Sequence, residues 1–240
     1  MTSAIAEIDA GTVRLHANGC NRSWSRFRGV TMELQSGQAR EEWLTGRSPE
    51  FHLEVDGAPY SALDSAGVVW SEHVGQGWAE VTAEYAFPAI RVRLTTRLYG
   101  KVSAIERTLE LRNCGPQPCT VAAIAAEILP LDAARVRVVE LDTETLALLR
   151  ESMAYDTFTA LQMDQVGLLF GHATPSAFLY FDPNPRFCAI VARNPRTVGR
   201  GETRVLQQTL TVPYEGTAMR AARRMAAHGH ALNEAAASRE

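Results

Sequence analysis

The amino-acid sequence predicts an all-β fold made of two stacked antiparallel sheets, with one short helix near the carboxyl end. Residues 90–113 contain two alternating runs that complement each other as a hairpin. Short alternating runs separated by turn residues recur along the chain at intervals of about 8–12 residues, a pattern typical of sandwiches and barrels. With 240 residues, the chain also has the length of one large all-β domain.

The hairpin of residues 90–113 is predicted because each of its runs places apolar side chains on one face. When the chain folds back so that Leu98 faces Ile105, the apolar face of one run meets that of the other. The same register sets Arg97 opposite Glu106, and such cross-strand pairs contribute about 0.2–1 kcal/mol each. A one-residue slip would turn the apolar side chains to solvent. Two pairs in this register are mismatched: Thr96 with Arg107, and Arg91 with Arg112.

The elements before the hairpin follow from the same alternation. Turns are predicted where Gly, Asn and Asp cluster, and Asp56-Gly57 is a strong turn pair. Residues 37–46 are predicted to be a polar loop that contains Trp43. Residues 1–10 are predicted to be a frayed start or a short edge strand, and residues 19–22 a turn that leads into 24–27. The strands predicted in this part of the chain are 12–17, 30–34, 51–55, 68–70 and 78–85.

After the hairpin, residues 120–129 are predicted to be a buried strand despite their alanines, because of their length and flanking prolines. Residues 144–152 favour a helical turn or two, and 215–228 place apolar side chains at helical spacing. We therefore expect the sandwich domain over 1–214, followed by a C-terminal helix and a disordered tail over 215–240. The other strands predicted here are 136–141, 166–172, 177–181, 187–192 and 203–212.

Composition argues against several classes of function. The 24 basic and 27 acidic residues leave a net charge of −3, whereas nucleic-acid binders usually carry a basic face, so no nucleic-acid partner is expected. The chain has no 18-residue apolar run and no signal peptide, so we expect no membrane partner and a cytoplasmic location. The four cysteines lack C-x-x-C spacing and are expected as free thiols, with no metal and no cofactor.

Five short motifs along the chain resemble a known family. Together they are similar to the N-terminal β-supersandwich domain of the alpha-galactosidase family of retaining glycoside hydrolases, which has a galactose-mutarotase-like fold. The likeness extends from about Thr12 to Ala227. In order, the motifs are Asn21-Arg22-Ser23-Trp24-x-Arg26, Glu42-Trp43, Glu50-Phe51-His52-Leu53-x-Val55-Asp56-Gly57, Ala104-Ile105-Glu106-Arg107-Thr108-Leu109-x-Leu111-x-Asn113, and Gly199-x-Gly201-Glu202.

The resemblance implies a binding function rather than catalysis. In that family both catalytic aspartates lie in a (β/α)8 barrel that follows the sandwich, and a barrel needs about 200 residues or more. This chain ends where the linker to the barrel would be, so no catalytic residue is carried over. The expected function is a non-catalytic supersandwich that binds carbohydrate or a protein partner, for example a separate glycoside hydrolase barrel protein. An assembly module that forms a homodimer is a further alternative.

The alternative of a different class is a sugar mutarotase or epimerase acting in the concave face of the sandwich. Mutarotases of this fold use a histidine acid and a glutamate base to open and reclose a sugar ring, which requires paired groups in one pocket. His73 and His172 are the loop histidines that suit this role. The typical mutarotase run is missing, however, because Tyr180-Phe181-Asp182 has no preceding histidine at the right distance.

Four residues are predicted as the carbohydrate-binding site: Trp24, Arg26, Trp43 and His73. Aromatic side chains combine a large apolar surface with a polar group, and their faces pack well on the C–H surfaces of a pyranose. Trp70 and Trp78 alternate with apolar neighbours and are predicted to belong to the core instead.

Overall fold

The computed structural model describes residues 4–227 apart from 18, 39, 133, 153, 154, 156, 174–176 and 183–186. Most of these residues form β-strands, and the others include two α-helices and a 3-10 turn. The strands are β1 Ile5–Ile8, β2 Thr12–Ala17, β3 Cys20–Ser25, β4 Thr31–Ser36, β5 Glu41–Glu42, β6 Phe51–Val55, β7 Ala58–Ser61, β8 Val68–Gly75, β9 Trp78–Ala86, β10 Ile90–Tyr99, β11 Ala104–Asn113, β12 Cys119–Pro130, β13 Val136–Val139, β14 Thr157–Met163, β15 Val166–His172, β16 Ala177–Asp182, β17 Phe187–Ala192, β18 Arg196–Val198 and β19 Thr203–Glu215. The helices are α1 Thr143–Ser152 and α2 Ala218–Ala226, and the 3-10 turn spans Ala62–Asp64.

The strands form three hydrogen-bonded sheets, and every paired neighbour is antiparallel, which confirms the predicted fold class. The five-stranded sheet has the order β1-β2-β3-β4-β5. The eight-stranded sheet has the order β13-β14-β15-β19-β11-β10-β9-β8. The six-stranded sheet contains β16-β17-β12-β6-β7, and β18 pairs with its β12.

These three sheets make two layers. The eight-stranded sheet is one layer, and the two smaller sheets meet in the other at the isolated bridges Thr31↔Ser48 and Leu44↔Leu131. Strands β1 and β2 pack against β8, β9 and β10, while β12 packs against β19. The predicted two-layer sandwich is therefore present, but one layer is divided, because β1 to β5 form a local meander whose own strands pair in sequence order.

Strands β10 and β11 pair in the predicted register, from Ile90↔Asn113 to Tyr99↔Ala104, and lie inside the eight-stranded sheet. The structure also explains the mismatched pairs. Thr96 and Arg107 face the interior, where Arg107 finds carboxylate partners. The guanidinium of Arg91 donates to backbone carbonyls of Phe87 and Ile90, so it has partners other than Arg112.

A buried tetrad of charges lies between the layers: Arg22, Glu50, Arg107 and Glu127, each at most 2% exposed. Nη1 of Arg22 lies 2.7 Å from Oε1 of Glu127, and Nη2 of Arg22 lies 3.4 Å from Oε2 of Glu50. Arg107 pairs with both glutamates. The side chains of Arg22, Arg107 and Glu127 come from β3, β11 and β12, so the tetrad joins all three sheets.

Further donors complete the shell of the two glutamates in the tetrad. Oε1 of Glu50 accepts the backbone N–H of Thr31 at 2.6 Å, and Oε2 accepts the indole N–H of Trp24 at 3.3 Å. Oε1 of Glu127 accepts the hydroxyl of Thr211 at 3.0 Å. Burial by itself raises the pKa of Glu127, but the tetrad's two arginines outweigh it and lower that pKa to about 2. The buried charges therefore compensate one another.

The backbone turns both glutamates of the tetrad toward the interior. Glu50 and Glu127 have φ values of 65° and 52°, in the left-handed region that non-glycine residues rarely adopt. Glu127 lies where the pairing of β12 with β17 shifts register, between Ala126 and Leu129. Such a bulge lets two consecutive side chains point inward. Ala126 and Glu127 are accordingly both buried, although regular alternation would send one of them out.

The two helices cover half of the outer face of the eight-stranded sheet. Apolar residues of α1, α2, β14, β15 and β19 form a second core there, which includes Leu149, Leu169, Val212, Ala222 and Met225. The predicted C-terminal helix is confirmed as α2, and the predicted helical turns correspond to α1. Neither helix is long and apolar enough to cross a bilayer. The predicted tail from residue 228 onward lies outside the described residues, and the domain boundary at 214 stays a prediction.

Candidate functional site

The other half of this outer face, on strands β8 to β11, carries polar side chains aligned in rows across the sheet. One row consists of His73, Glu80, Arg97 and Glu106. The next row consists of Ser71, Thr82, Thr95, Thr108 and, from β19, Gln208. Trp78 and Tyr99 lie opposite each other beyond the first row. We call these eleven residues the polar face.

Arg97 is the centre of the first row. Its Nη2 and Nε lie 2.8 and 3.0 Å from Oε2 of Glu80, its partner on β9. Glu106 is its register partner on β11. Although it is on an outer face, Arg97 is only 7% exposed, because Trp78 and the flanking side chains surround it. A guanidinium held this way presents its donors in a fixed geometry.

Two tyrosines hold the carboxylate of Glu106. The hydroxyl of Tyr99 donates to Oε2 at 2.9 Å, and the hydroxyl of Tyr155, in the connection from α1 to β14, donates to Oε1 at 3.1 Å. Burial, assisted by the nearby charge of Glu106, raises the pKa of Tyr99 to about 12, while Arg97 acts in the opposite direction. Tyr99 therefore keeps its proton at neutral pH and continues to donate to Glu106.

The indole of Trp78 forms an aromatic wall beside this row. Its ring stacks with the imidazole of His73, with centroids 5.1 Å apart and planes at 27°. The guanidinium carbon of Arg97 lies 4.0 Å from the ring centroid, a cation–π distance. A Cβ on Gly75 would come within 2.2 Å of the Trp78 ring, so the indole can lie over β8 only because that position is a glycine.

The polar face combines three kinds of recognition chemistry. Its carboxylates accept, its guanidinium donates, and its hydroxyls and amide do both. In the second row, the hydroxyls of Thr82 and Thr95 lie 3.3 Å apart. Among the described residues, no group of three or more His, Cys, Asp and Glu side chains is placed to hold a metal ion. The face therefore suits a polar ligand held by hydrogen bonds and ring contacts.

Two of the four predicted site residues, Trp24 and Trp43, are each only 1% exposed. The indole N–H of Trp24 donates to Glu50, and that of Trp43 donates to the hydroxyl of Ser36 at 2.6 Å. In this structure neither ring is available to a sugar, because both indoles lie in the core. Trp70 and Trp78, predicted to be core residues, are half-buried: Trp70 packs against the core between the layers, and Trp78 packs against the second core.

The other two predicted residues are at the surface but not together. Arg26 follows β3, and its guanidinium donates to the carbonyl of Asp9 at 2.6 Å. The backbone carbonyl of Arg26 accepts the indole N–H of Trp70 at 2.9 Å. His73 is exposed on the polar face, within β8 rather than in the predicted loop. His172 is also in a strand, and it is buried in β15. Sugar binding by the four predicted residues stays a prediction.

Sequence reasoning missed most of the polar face. Arg97 and Glu106 were predicted as a pair on one face of the hairpin, and that signal was sound. Extending the same register to the neighbouring run of residues 78–86 would have added three more residues of the polar face: Trp78, Glu80 and Tyr99. The turn residues Gly75-Gln76-Gly77 would have fixed that second hairpin.

No family model matches this sequence, and no curated protein matches it. Among solved structures, GH36 alpha-galactosidase AgaB from Geobacillus stearothermophilus is similar over 88% of this chain and 41% of its own, with a TM-score of 0.58 and 11% identity. The galactosidase domain of the alpha-galactosidase-sucrose kinase AgaSK is similar over 89% of this chain and 42% of its own, with a TM-score of 0.58 and 10% identity.

A galactose mutarotase-like protein from Clostridium acetobutylicum is similar over 90% of this chain and 99% of its own, with a TM-score of 0.53 and 9% identity. The chain thus spans less than half of the galactosidase chains and about the whole of the mutarotase-like protein. Identities this low show the fold alone. At that level the resemblance predicted from the sequence is confirmed.

Proposed function

We propose that this chain binds carbohydrate on the polar face, without catalysing a reaction on it. The observation that carries the proposal is the row of His73, Glu80, Arg97 and Glu106, with the indole of Trp78 beside it. A sugar ring has hydroxyls that both donate and accept, and C–H surfaces that pack on aromatic rings. The polar face supplies partners for both.

The charges of the polar face are held by its own side chains, which suits a neutral ligand. Arg97 is paired with Glu80, and Glu106 is held by two tyrosine hydroxyls. Groups ordered before binding lose less conformational entropy when a ligand arrives. Galactose is the first ligand to test, because the names of the similar structures refer to galactosidases and a galactose mutarotase-like protein.

Titration calorimetry with galactose, glucose and an α-linked galactosyl disaccharide tests this proposal. We expect His73→Gln to weaken the binding of the preferred sugar about fivefold, since the amide lacks the ring that stacks with Trp78, a contact worth about 1 kcal/mol. Gly75→Ala should weaken it as well by displacing the Trp78 indole. The matched control is His52→Gln, because His52 is exposed on β6 in the other layer. No binding of any of the three sugars, or an equal loss with His52→Gln, would contradict the proposal.

A mutarotase or epimerase is the second candidate, favoured by the placement of His73 directly opposite Glu80 on adjacent strands. An imidazole and a carboxylate side by side are the acid and base that ring opening requires. The strong pairing of Glu80 with Arg97 argues against this role. Polarimetry on freshly dissolved galactose and glucose tests for this activity. Anomeric equilibration rates that micromolar protein leaves unchanged would exclude it.

The proposed binding function includes protein partners and a cytoplasmic setting. A separate glycoside hydrolase barrel protein, or a second copy of this chain, would pack on the sheet edges and faces that the sandwich presents. Light scattering at working concentration, alone and with a purified GH36 barrel, measures both associations. A monomer in both samples would remove these partners from the proposal.

A further inference from the structure

A cavity of about 510 Å³ lies between helix α2, the end of β19 and the turns at Gly19 and Gly37. None of the residues that line it belongs to the polar face. They are Gly19, Gly37, Gln38, Ser103, Pro213, Tyr214, Glu215, Arg220, Ala221 and Arg224. The site is therefore separate from the proposed carbohydrate site.

Two arginines of α2 line this cavity from one face of the helix. Arg220 and Arg224 are four residues apart, which puts their Cβ atoms about 5–6 Å from each other. Neither forms an ion pair with a carboxylate in the part of the chain that the structure describes. By contrast, Arg223 on the same helix lies 3.7 Å from Glu144. The cavity thus has two guanidinium groups on one side without a direct counter-ion.

Arg224 also has an unused donor. Its Nη2 donates to the carbonyl of Pro213 at 2.6 Å, while its Nε is buried and has no hydrogen-bond partner. A buried donor without an acceptor costs about 1–3 kcal/mol. Burial, together with the like charge of Arg220, lowers the pKa of Arg224. An anion in the cavity would relieve the repulsion between the two guanidinium groups.

Glu215 is the one carboxylate among the lining residues, and it is already bound. Its Oε1 accepts the backbone N–H of Gln38 at 2.6 Å. The turn before Gln38 comes close because residue 37 is a glycine with φ of 77°, where a Cβ would lie 2.9 Å from Oε1 of Glu215. Two arginines and one glutamate leave the lining with one net positive charge.

We propose that this cavity binds a phosphate or sulfate group, either as the free ion or as an ester on a sugar. Guanidinium groups bind such oxyanions with charge-assisted, often bidentate hydrogen bonds. Arg220 and Arg224 both line the cavity, and Arg220 is exposed, so their guanidinium groups are the donors available to such an oxyanion. This inference does not depend on sugar binding by the polar face.

Titration calorimetry with sodium phosphate, glucose 6-phosphate and glucose, at constant ionic strength in chloride, tests this inference. Constant ionic strength is needed because added salt screens the attraction between the two arginines and an anion. We expect phosphate and glucose 6-phosphate to bind and glucose not to bind at this cavity. Arg220→Gln should weaken phosphate binding about tenfold, because a charge-assisted bond to an exposed, non-core residue is lost.

The matched control is Arg223→Gln, which makes the same charge change on the same helix away from the cavity. It should leave phosphate binding within about twofold of the original protein. Arg224→Lys keeps the positive charge but loses the planar guanidinium that can donate two parallel hydrogen bonds. It should therefore weaken phosphate binding without unfolding the protein. Tighter binding of glucose 6-phosphate than of phosphate identifies a sugar ester as the source. Equal losses in Arg220→Gln and Arg223→Gln, or no phosphate binding at all, would overturn the inference.

Discussion

Two charge clusters lie on opposite faces of the eight-stranded sheet, and their residue types are alike. On the inner face, Arg107 of β11 lies between Glu50 and Glu127. On the outer face, Arg97 of β10 has glutamates on both neighbouring strands, Glu80 and Glu106. The comparison shows that side-chain chemistry alone does not decide whether a charged group stabilises the fold or is available to a ligand.

The difference lies in what surrounds each cluster. Each member of the buried tetrad is at most 2% exposed, and the tetrad links three sheets, so every charge depends on its partners. Removing one member leaves an uncompensated charge in a medium of low dielectric constant. The outer cluster is bordered by Thr95, Thr108 and other half-exposed side chains, so water can replace a lost partner. The same substitution should therefore have unequal effects on the two faces.

Glu127→Gln should have the largest effect. It removes the negative charge that faces both Arg22 and Arg107, and we expect the free energy of unfolding to fall by about 3–5 kcal/mol. Urea denaturation followed by tryptophan fluorescence measures this change. The matched control is Glu110→Gln on β11, whose partner Arg93 is 4.0 Å away and more than half exposed. A loss of less than 1 kcal/mol in both variants would remove the proposed distinction.

Lowering the pH should destabilise the protein through the same tetrad. The pKa of Glu127 is about 2 in the folded protein and 4.5 for an ordinary glutamate, so the carboxylate binds its proton more readily in the unfolded chain. Its stabilising contribution is complete above pH 4.5 and is lost as the pH falls through that window toward 2. Denaturation curves at pH 7, 5, 4 and 3 should therefore show a falling midpoint below 4.5. The midpoint of Glu127→Gln should fall less over this range, and parallel curves would contradict this assignment.

Glu80→Gln, on the outer face, should lower the stability of the protein less than Glu127→Gln does. Arg97 keeps its contact with Trp78, and Glu106 remains opposite it on β11, so we expect a loss of about 1–2 kcal/mol in urea denaturation. The same variant should weaken sugar binding, because Arg97 is then free to reorient. A stability loss as large as that of Glu127→Gln would mean that the outer cluster, too, is chiefly structural.

The sequence by itself determined the elements that depend on local pattern. The register of β10 with β11 follows from alternation over 24 residues, 90–113, and the structure reproduces it. The helix after 215 follows in the same way, from apolar side chains at helical spacing. In each case neighbours in sequence decide which side chains share a face, because the period is 2 for a strand and 3.6 for a helix.

The tertiary structure alone decided what lies against each face. The tetrad joins Arg22 to Glu127 across 105 positions, and a bulge in an alanine-rich strand turns Glu127 inward. Trp24, predicted as a surface site residue, is buried, while the half-buried Trp78 packs against the second core and also lines the polar face. Alternation assigns a side chain to one side of a strand, but burial and pairing depend on which distant strand or helix covers that side.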